Sequence, residues 1–320
     1  MSITHTIHAV YSRVMDIHDF LDRKANADMT RLNFLLTIAF LALSATVGQI
    51  ANAQSQRPLE LGVGLFQPDK DKNDATYKPL AAYLSKKLGR EVRLRTVDTW
   101  EGLAKSLASG ETDLSLMGPW GYVLANHQAG AEVIATILYD GKPEYFAIMV
   151  TGPNSGINKI DDLKGKTFAF GDKGSTSGYL IPSHEFFKRG LEPEKFFSRV
   201  INTKHQAIET QVTRGELDAG ADYNRNRDAM IEQGLIKAAD SRIFWTSAPL
   251  PNDAFAVSAD IAKDKALTMK LVKALEDIGA ELSTQPSLLP NHYTGFVAKD
   301  NKYYSPIKDA ALAMGWLAKK

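Results

Sequence analysis

GDKGSTSGYLIP, residues Gly171–Pro182, places three consecutive hydroxyl side chains where a strand hands over to a helix. Ahead of it, Thr167, Phe168, Ala169 and Phe170 read as a short buried strand. Behind it, Tyr179, Leu180, Phe186 and Phe187 keep helical spacing, and Gly190 stops the helix. Ser175, Thr176 and Ser177 therefore fall at a helix N-terminus, where the first N–H groups lack intrahelical partners and the peptide dipoles leave a partial positive charge. Phosphate-like or carboxylate-like groups are favoured there. Gly174 and Gly178 are expected to allow close backbone approach and positive φ. Pro182, in the first helical turn, removes only an N–H that lacks an intrahelical partner anyway. The plainer reading, Ser175 or Thr176 as an N-cap beside a glycine turn, stays open at this point.

The flanking sequence repeats the strand-to-helix theme. Leu59–Phe66 reads as a strand, Tyr77–Leu88 as a helix stopped by Gly89, and Val92–Thr96 as a strand again. Asp98 or Thr99 caps a helix through Leu107 that Gly110 ends. Leu114–Met117 is a strand running into Gly118 and Pro119, and Pro119 suits the first position of a helix through Ala125. Phe146–Thr151, Thr167–Phe170, Val200–Ile201 and Asp218–Ala221 supply further strands, with a helix around Ile208–Arg214. The charged run Asp69–Asp74 reads as a solvated loop. Alternating elements of this kind predict parallel sheets covered on both faces. Two runs with a joint near Thr151 predict two α/β lobes, 54–150 and 151–248. The remainder, 249–320, holds a strand at Ala254–Val257 and helices near Leu267–Ile278 and Ile307–Leu317, and returns to the first lobe. Ligands of open α/β sheets bind beyond the carboxyl ends of the strands. The turns at Gly118–Pro119 and at Ser175–Ser177 would thus aim two helix N-termini into one cleft.

Phe34–Val47 is an apolar run ending in small residues, followed by Ala51, Asn52 and Ala53, an AxA pattern before Gln54. Residues 1–53 read as a secretory signal peptide, and Met29 gives a more compact start than Met1. The run is shorter than the roughly 20 residues a spanning helix needs. The segment through Ala53 holds as many acidic as basic residues, so its removal leaves the net charge at +1, a balance that does not suit nucleic acid. There is no cysteine. An exported chain of this size must then hold its core without disulfides, and it has no lipid-attachment site. The expected product is a soluble periplasmic monomer that needs no cofactor or metal.

The phrases TDLSLMGPWGYVLAN, DLKGKTFAFGDKGSTSGYLIP, GELDAGADYN and LPNDAFAV, in this order and spacing, resemble the phosphonate and phosphite branch of ABC-transporter substrate-binding proteins over roughly residues 59–316. GPWGY and LPNDA look closest to members that bind small reduced phosphorus oxyanions such as hypophosphite and phosphite. The resemblance implies the periplasmic-binding-protein type II fold, two hinged lobes that deliver a small phosphorus oxyanion to an inner-membrane permease. It implies that Ser175, Thr176 and Ser177 hold the phosphorus oxygens and that His205 contacts the oxyanion. Asp253, in PNDAF, would close the pocket and accept a hydrogen bond from a protonated ligand oxygen, discriminating against sulfate. Asp222 is a second candidate for that job. Tyr77 matches an aromatic position near the pocket, and Trp100 and Trp120 would wall off the non-oxygen face of the ligand. Arg225 stands where receptors for aminoalkylphosphonates carry a carboxylate for the ligand amine, which disfavours 2-aminoethylphosphonate. Met117 replaces a tyrosine of some relatives and would add apolar surface beside the ligand.

An enzyme would need a metal set or an activated nucleophile, yet the chain has no HExxH, GxSxG or P-loop pattern. Ser177 beside His205 is the one pair that could imitate a nucleophile and its base. Two other readings use the same cleft: a receptor for 2-aminoethylphosphonate or for phosphonates more broadly, and a periplasmic partner presenting ligand to a membrane sensor.

Overall fold

The computed structural model describes residues 57–318 apart from Leu65 and Pro68, so the signal-peptide reading of 1–53 lies outside the described residues. Strands β1 (Leu59–Gly64), β2 (Val92–Val97), β3 (Leu114–Met117) and β4 (Glu132–Tyr139) open the chain, and β5 (Glu144–Tyr145), β6 (Ala147–Thr151), β7 (Thr167–Phe170), β8 (Arg199–Asn202) and β9 (Ala219–Tyr223) follow. The last are β10 (Arg242–Thr246), β11 (Leu250–Pro251), β12 (Ala254–Val257) and β13 (Tyr293–Ala298). They form a six-stranded sheet of order β13-β4-β12-β3-β1-β2 and a five-stranded sheet of order β10-β6-β9-β7-β8. The principal helices are α1 (Lys70–Leu88), α2 (Trp100–Ser109), α3 (Pro119–Ala129), α4 (Ile181–Lys188), α5 (His205–Thr213), α6 (Asn224–Glu232), α7 (Lys265–Glu281) and α8 (Ser305–Ala313).

The sheets are mixed rather than parallel. β1 runs parallel to β2 and β3, and β7 to β8 and β9. β12, however, returns from the second sheet and inserts antiparallel between β3 and β4, and β6 is antiparallel to both β9 and β10. A chain that passes between sheets twice enters each at its middle, which simple strand–helix alternation does not anticipate. The first passage lies between Tyr139 and Ala147, ahead of Thr151, and the second between Thr246 and Ala254. The two passages pair with each other through β5 and β11, Tyr145 opposite Leu250.

Each sheet has its own core. Leu61, Leu80, Leu84, Leu116, Phe255 and Leu275 are buried together under α1 and α7. Phe168, Phe170, Phe186, Phe197 and Met149 form the core of the second sheet. Each such side chain contributes about 1.5–3 kcal/mol relative to exposure. The run Asp69–Asp74 is the start of α1 and not a loop: Asp69 caps the helix by accepting from the Lys72 N–H at 2.9 Å. Asn73 anchors that first turn, accepting from the Phe66 and Gln67 N–H groups and donating to Gly64 O and Thr96 Oγ1 at the ends of β1 and β2.

Candidate functional site

β7 ends at Phe170, and the chain turns through Gly171–Gly174 into a π-helical turn, Thr176–Leu180, that continues as α4. A π turn is wider than an α turn and often marks a functional position. Ser175 caps it, its Oγ accepting from the Gly178 N–H at 3.1 Å. Gly174 and Gly178 do not adopt positive φ; close packing explains them. A Cβ on Gly174 would stand 2.4 Å from Glu101 N, and one on Gly178 would stand 2.7 Å from His205 Cε1.

The Gly118–Pro119 turn reaches the same place. Trp120 N–H, in the first turn of α3, donates to Thr176 Oγ1 at 2.8 Å, so the two helix starts converge. Beside them is a cavity of about 30 Å³ lined by Gly118, the run Gly174–Ser177, His205, Asp253, Arg225 and the rings of Phe66, Trp100, Tyr145 and Tyr223. Ser175, Thr176 and Ser177 are all buried, and Tyr145 lines the cavity beside them. Trp100 lies flat against Gly64, where a Cβ would come within 2.1 Å of its ring, and meets Phe66 edge-on at 4.8 Å.

His205 begins α5 and enters the site behind Ser175. Its Nε2 lies 3.1 Å from Ser175 Oγ and its Nδ1 2.7 Å from Asp222 Oδ1. Asp222 Oδ2 accepts from Asn226 Nδ2 at 2.8 Å, and Glu209, held by the Ser241 hydroxyl, hydrogen-bonds Asp222 from behind. Two carboxyls in hydrogen-bond contact must share a proton. Burial sets the directions: it pushes Glu209 up to about 9 and Asp222 up to about 7, and it holds His205 down at about 4. Of the two, Glu209 is the carboxyl that keeps its proton to higher pH, and its Oε1 is a buried oxygen without a hydrogen-bond partner among the described residues.

Of the residues singled out from sequence, Ser175, Thr176, Ser177, His205, Asp253 and Trp100 meet at the cavity. Asp222 does not line it; it orients His205. Trp120 contributes its backbone N–H while its buried indole donates to Lys173 O at 3.2 Å, one layer behind the wall. Tyr77 packs on Phe66 with ring centroids 5.6 Å apart and faces a larger adjoining groove of about 770 Å³, which shares Phe66, Tyr223 and Arg225 with the cavity. Met117 is buried in the core beside α3 and adds nothing to the wall. Sequence reading overlooked Phe66, Tyr145 and Tyr223. Tyr223 is the last residue of β9, directly after the sequence GELDAGAD, and carried a usable signal; Tyr145 sits on a two-residue strand and carried none.

The expectation for Asp253 assumed a carboxylate facing the ligand alone. Arg225 changes that, its Nη2 standing 3.6 Å from Asp253 Oδ2. Burial still raises Asp253 above the ordinary carboxylate range, with Arg225 opposing the rise. The serine that pairs with His205 is Ser175 and not Ser177. Ser175, His205 and Asp222 stand in hydrogen-bonded series, as a hydrolase triad does, but Ser175 Oγ is already engaged as the cap of its own turn. Among the described residues no cluster of His, Asp and Glu is arranged to hold a metal ion, and no helix is long and apolar enough to cross a membrane.

Residues 65–304 match the family described as ABC transporter, phosphonate, periplasmic substrate-binding protein. The phosphonates-binding periplasmic protein of Escherichia coli K12 is 25% identical over 68% of this chain and 67% of its own length. The phosphate-import protein PhnD of Mycolicibacterium smegmatis is 27% identical over 64% of this chain and 70% of its own. The structure of PhnD1 from Prochlorococcus marinus in complex with methylphosphonate is similar in fold, with a TM-score of 0.72 at 22% identity, covering 81% of this chain and 98% of that one.

Proposed function

Because this chain belongs to the family of periplasmic substrate-binding proteins of phosphonate ABC transporters, we propose that it captures a small phosphorus oxyanion such as phosphite, hypophosphite or methylphosphonate and hands it to its permease. Members of the family are the binding component of an importer and not enzymes. The observation that carries the reading is the convergence of two helix N-termini and three hydroxyls on one small cavity that the rings of Phe66, Trp100, Tyr145 and Tyr223 also line.

In this reading the phosphorus oxygens take hydrogen bonds from Thr176 and Ser177 and from the first N–H groups of the π turn, while Ser175 and His205, bonded to each other, line the cavity and hold that turn in place. A buried site needs at least about 10–15 Å³ for one water. A cavity of about 30 Å³ therefore suits a tetrahedral anion with one small substituent rather than a chain. Phe66 and Trp100 offer the non-oxygen vertex an apolar surface, which matches P–H or P–CH3. A fourth oxygen placed there, as in phosphate or sulfate, would lose its water without gaining a donor, at a cost of about 1–3 kcal/mol. Arg225 on the wall repels an ammonium and disfavours 2-aminoethylphosphonate. The methylphosphonate held by the Prochlorococcus relative fits this size class. Capture proceeds by hinge closure at the paired passages around Tyr145 and Leu250. The ligand's contacts with both helix starts favour the closed form, where exclusion of water strengthens each hydrogen bond.

Calorimetric titration of the chain from Gln54 onward against phosphite, hypophosphite, methylphosphonate, 2-aminoethylphosphonate, phosphate and sulfate tests this. Tight binding of a reduced or methylated oxyanion is expected. Tight binding of 2-aminoethylphosphonate alone would overturn the pocket assignment, and no binding at all would favour the partner of a membrane sensor.

A further inference from the structure

Arg225, the second residue of α6, is 5% exposed, and two of its nitrogens, Nε and Nη1, are buried with no hydrogen-bond partner among the described residues. Its one ionic neighbour among the described residues, Asp253, is 3.6 Å away, beyond hydrogen-bond length. The guanidinium is instead surrounded by rings. Tyr139 and Tyr145 lie 4.9 and 4.8 Å from its carbon, and Tyr223 and Tyr293 both lie at 5.8 Å. Ring faces attract a cation but accept no hydrogen bond in its plane. A buried guanidinium so poorly supplied with acceptors is costly unless something else provides them. Arg225 lines the same cavity as Ser175–Ser177, so that acceptor is what enters the cavity.

Taking the oxyanion-receptor reading above as its basis, we propose that Arg225 contacts the bound phosphorus oxyanion directly and, where the ligand can lose a second proton, makes the site favour the doubly ionised form. The cavity wall is rich in donors: hydroxyls, helix N–H groups and the Arg225 fork. Asp253 is its only carboxylate, and Arg225 offsets that charge. A singly ionised ligand brings an O–H that needs an acceptor; a doubly ionised one brings three acceptors and no donor. The groups facing Arg225 are Asp253 from the turn before β12 and the four tyrosines from the ends of β4, β5, β9 and β13. Across the cavity stand His205 and, behind it, Asp222 and Glu209.

Phosphite and hypophosphite together separate ligand ionisation from protein ionisation. A phosphoryl-type group loses its second proton near pH ~6, whereas hypophosphite carries one charge throughout. Titration of Asp222 or His205 acts on both ligands, so the ratio of the two affinities reports the ligand alone. Both would be titrated calorimetrically at about pH 5 and about pH 8.5, which bracket that ionisation. The wild-type phosphite-to-hypophosphite affinity ratio is expected to rise roughly tenfold, following the doubly ionised fraction. Arg225→Gln is expected to abolish the rise. Because Arg225→Gln leaves Asp253 buried without a cation, Arg225→Gln with Asp253→Asn keeps the measurement interpretable: the double variant should also show a flat ratio, while Asp253→Asn alone keeps the rise. A rise that persists in the double variant, or a wild-type ratio that falls with pH, overturns the role of Arg225 while leaving the receptor reading standing. Failure of the wild type to bind phosphite, hypophosphite and methylphosphonate alike removes the small-oxyanion reading and this inference with it.

Discussion

Replacing Thr176 and Ser177 together by alanine probes the turn on which the account rests. A hydrogen bond to a charged group is worth about 1.5–3 kcal/mol. Two lost hydroxyls therefore remove about 3–6 kcal/mol, a weakening of the dissociation constant by ~10²–10⁴. A second cost falls on the ligand-free protein. Thr176 Oγ1 is the acceptor for the Trp120 N–H, and without it that buried N–H is unsatisfied in the closed form, at about 1–3 kcal/mol. Opening lets water satisfy the group, so the unliganded protein should lose only a few degrees of melting temperature, at ~2–4 °C per kcal/mol. Thr176→Ser retains the hydroxyl and serves as the control. Calorimetry on the wild type, the Thr176→Ser variant and the double variant, each with a thermal melt, separates binding from stability. A double variant that melts normally and binds phosphite within a factor of about three of wild type, less than ~1 kcal/mol, would refute the assignment.

Asp253→Asn should raise affinity for sulfate roughly tenfold, since it removes the only carboxylate lining the cavity and leaves Arg225 unopposed; no gain in a sulfate titration would count against a carboxylate facing the ligand. Glu209 holds a proton up to about 9 in the folded chain, which an unfolded carboxyl releases near its ordinary value, so its contribution is lost as pH rises toward 9. Asp222 acts in the same direction up to about 7, while His205, held at about 4, loses stability as pH falls below its ordinary value of 6.5. Glu209 is the main contributor between pH 7 and 9, Asp222 being already half titrated at about 7, so the wild-type melting temperature should fall there by a few degrees and Glu209→Gln should largely flatten the profile; identical profiles would contradict a protonated Glu209. Gly178→Ala drives a Cβ to 2.7 Å from His205 Cε1 and 3.0 Å from Gly171 Cα, so it should cost about 1–3 kcal/mol in a denaturant melt and weaken binding as well; an unaffected variant would mean that the turn tolerates a shift.

Local signals in the sequence were read well where one element decided them. Thr167–Phe170, Leu114–Met117 and Ala254–Val257 came out with their observed bounds, because short apolar runs there end in turn residues. β4 was overlooked. Its run VIATI, Val133–Ile137, is buried on both faces between β12 and β13, so it shows no alternation. The start of α1 was misread because its charges face water while Asn73, the residue that fixes it, is held by long-range hydrogen bonds. The hydroxyl turn was legible from residue type and order, whereas His205 stood out only through the family resemblance. The tyrosine cage around Arg225 was not, since its four rings come from the ends of four strands that no local pattern links.

A crystal structure of the protein grown with phosphite tests the central claim most directly. The account predicts the phosphorus atom in the small cavity, its oxygens within hydrogen-bond reach of Thr176, Ser177 and Arg225 and its P–H vertex toward Phe66 and Trp100. Phosphite seated instead in the larger groove beside Tyr77 and His292, with the hydroxyl turn unoccupied, would contradict it.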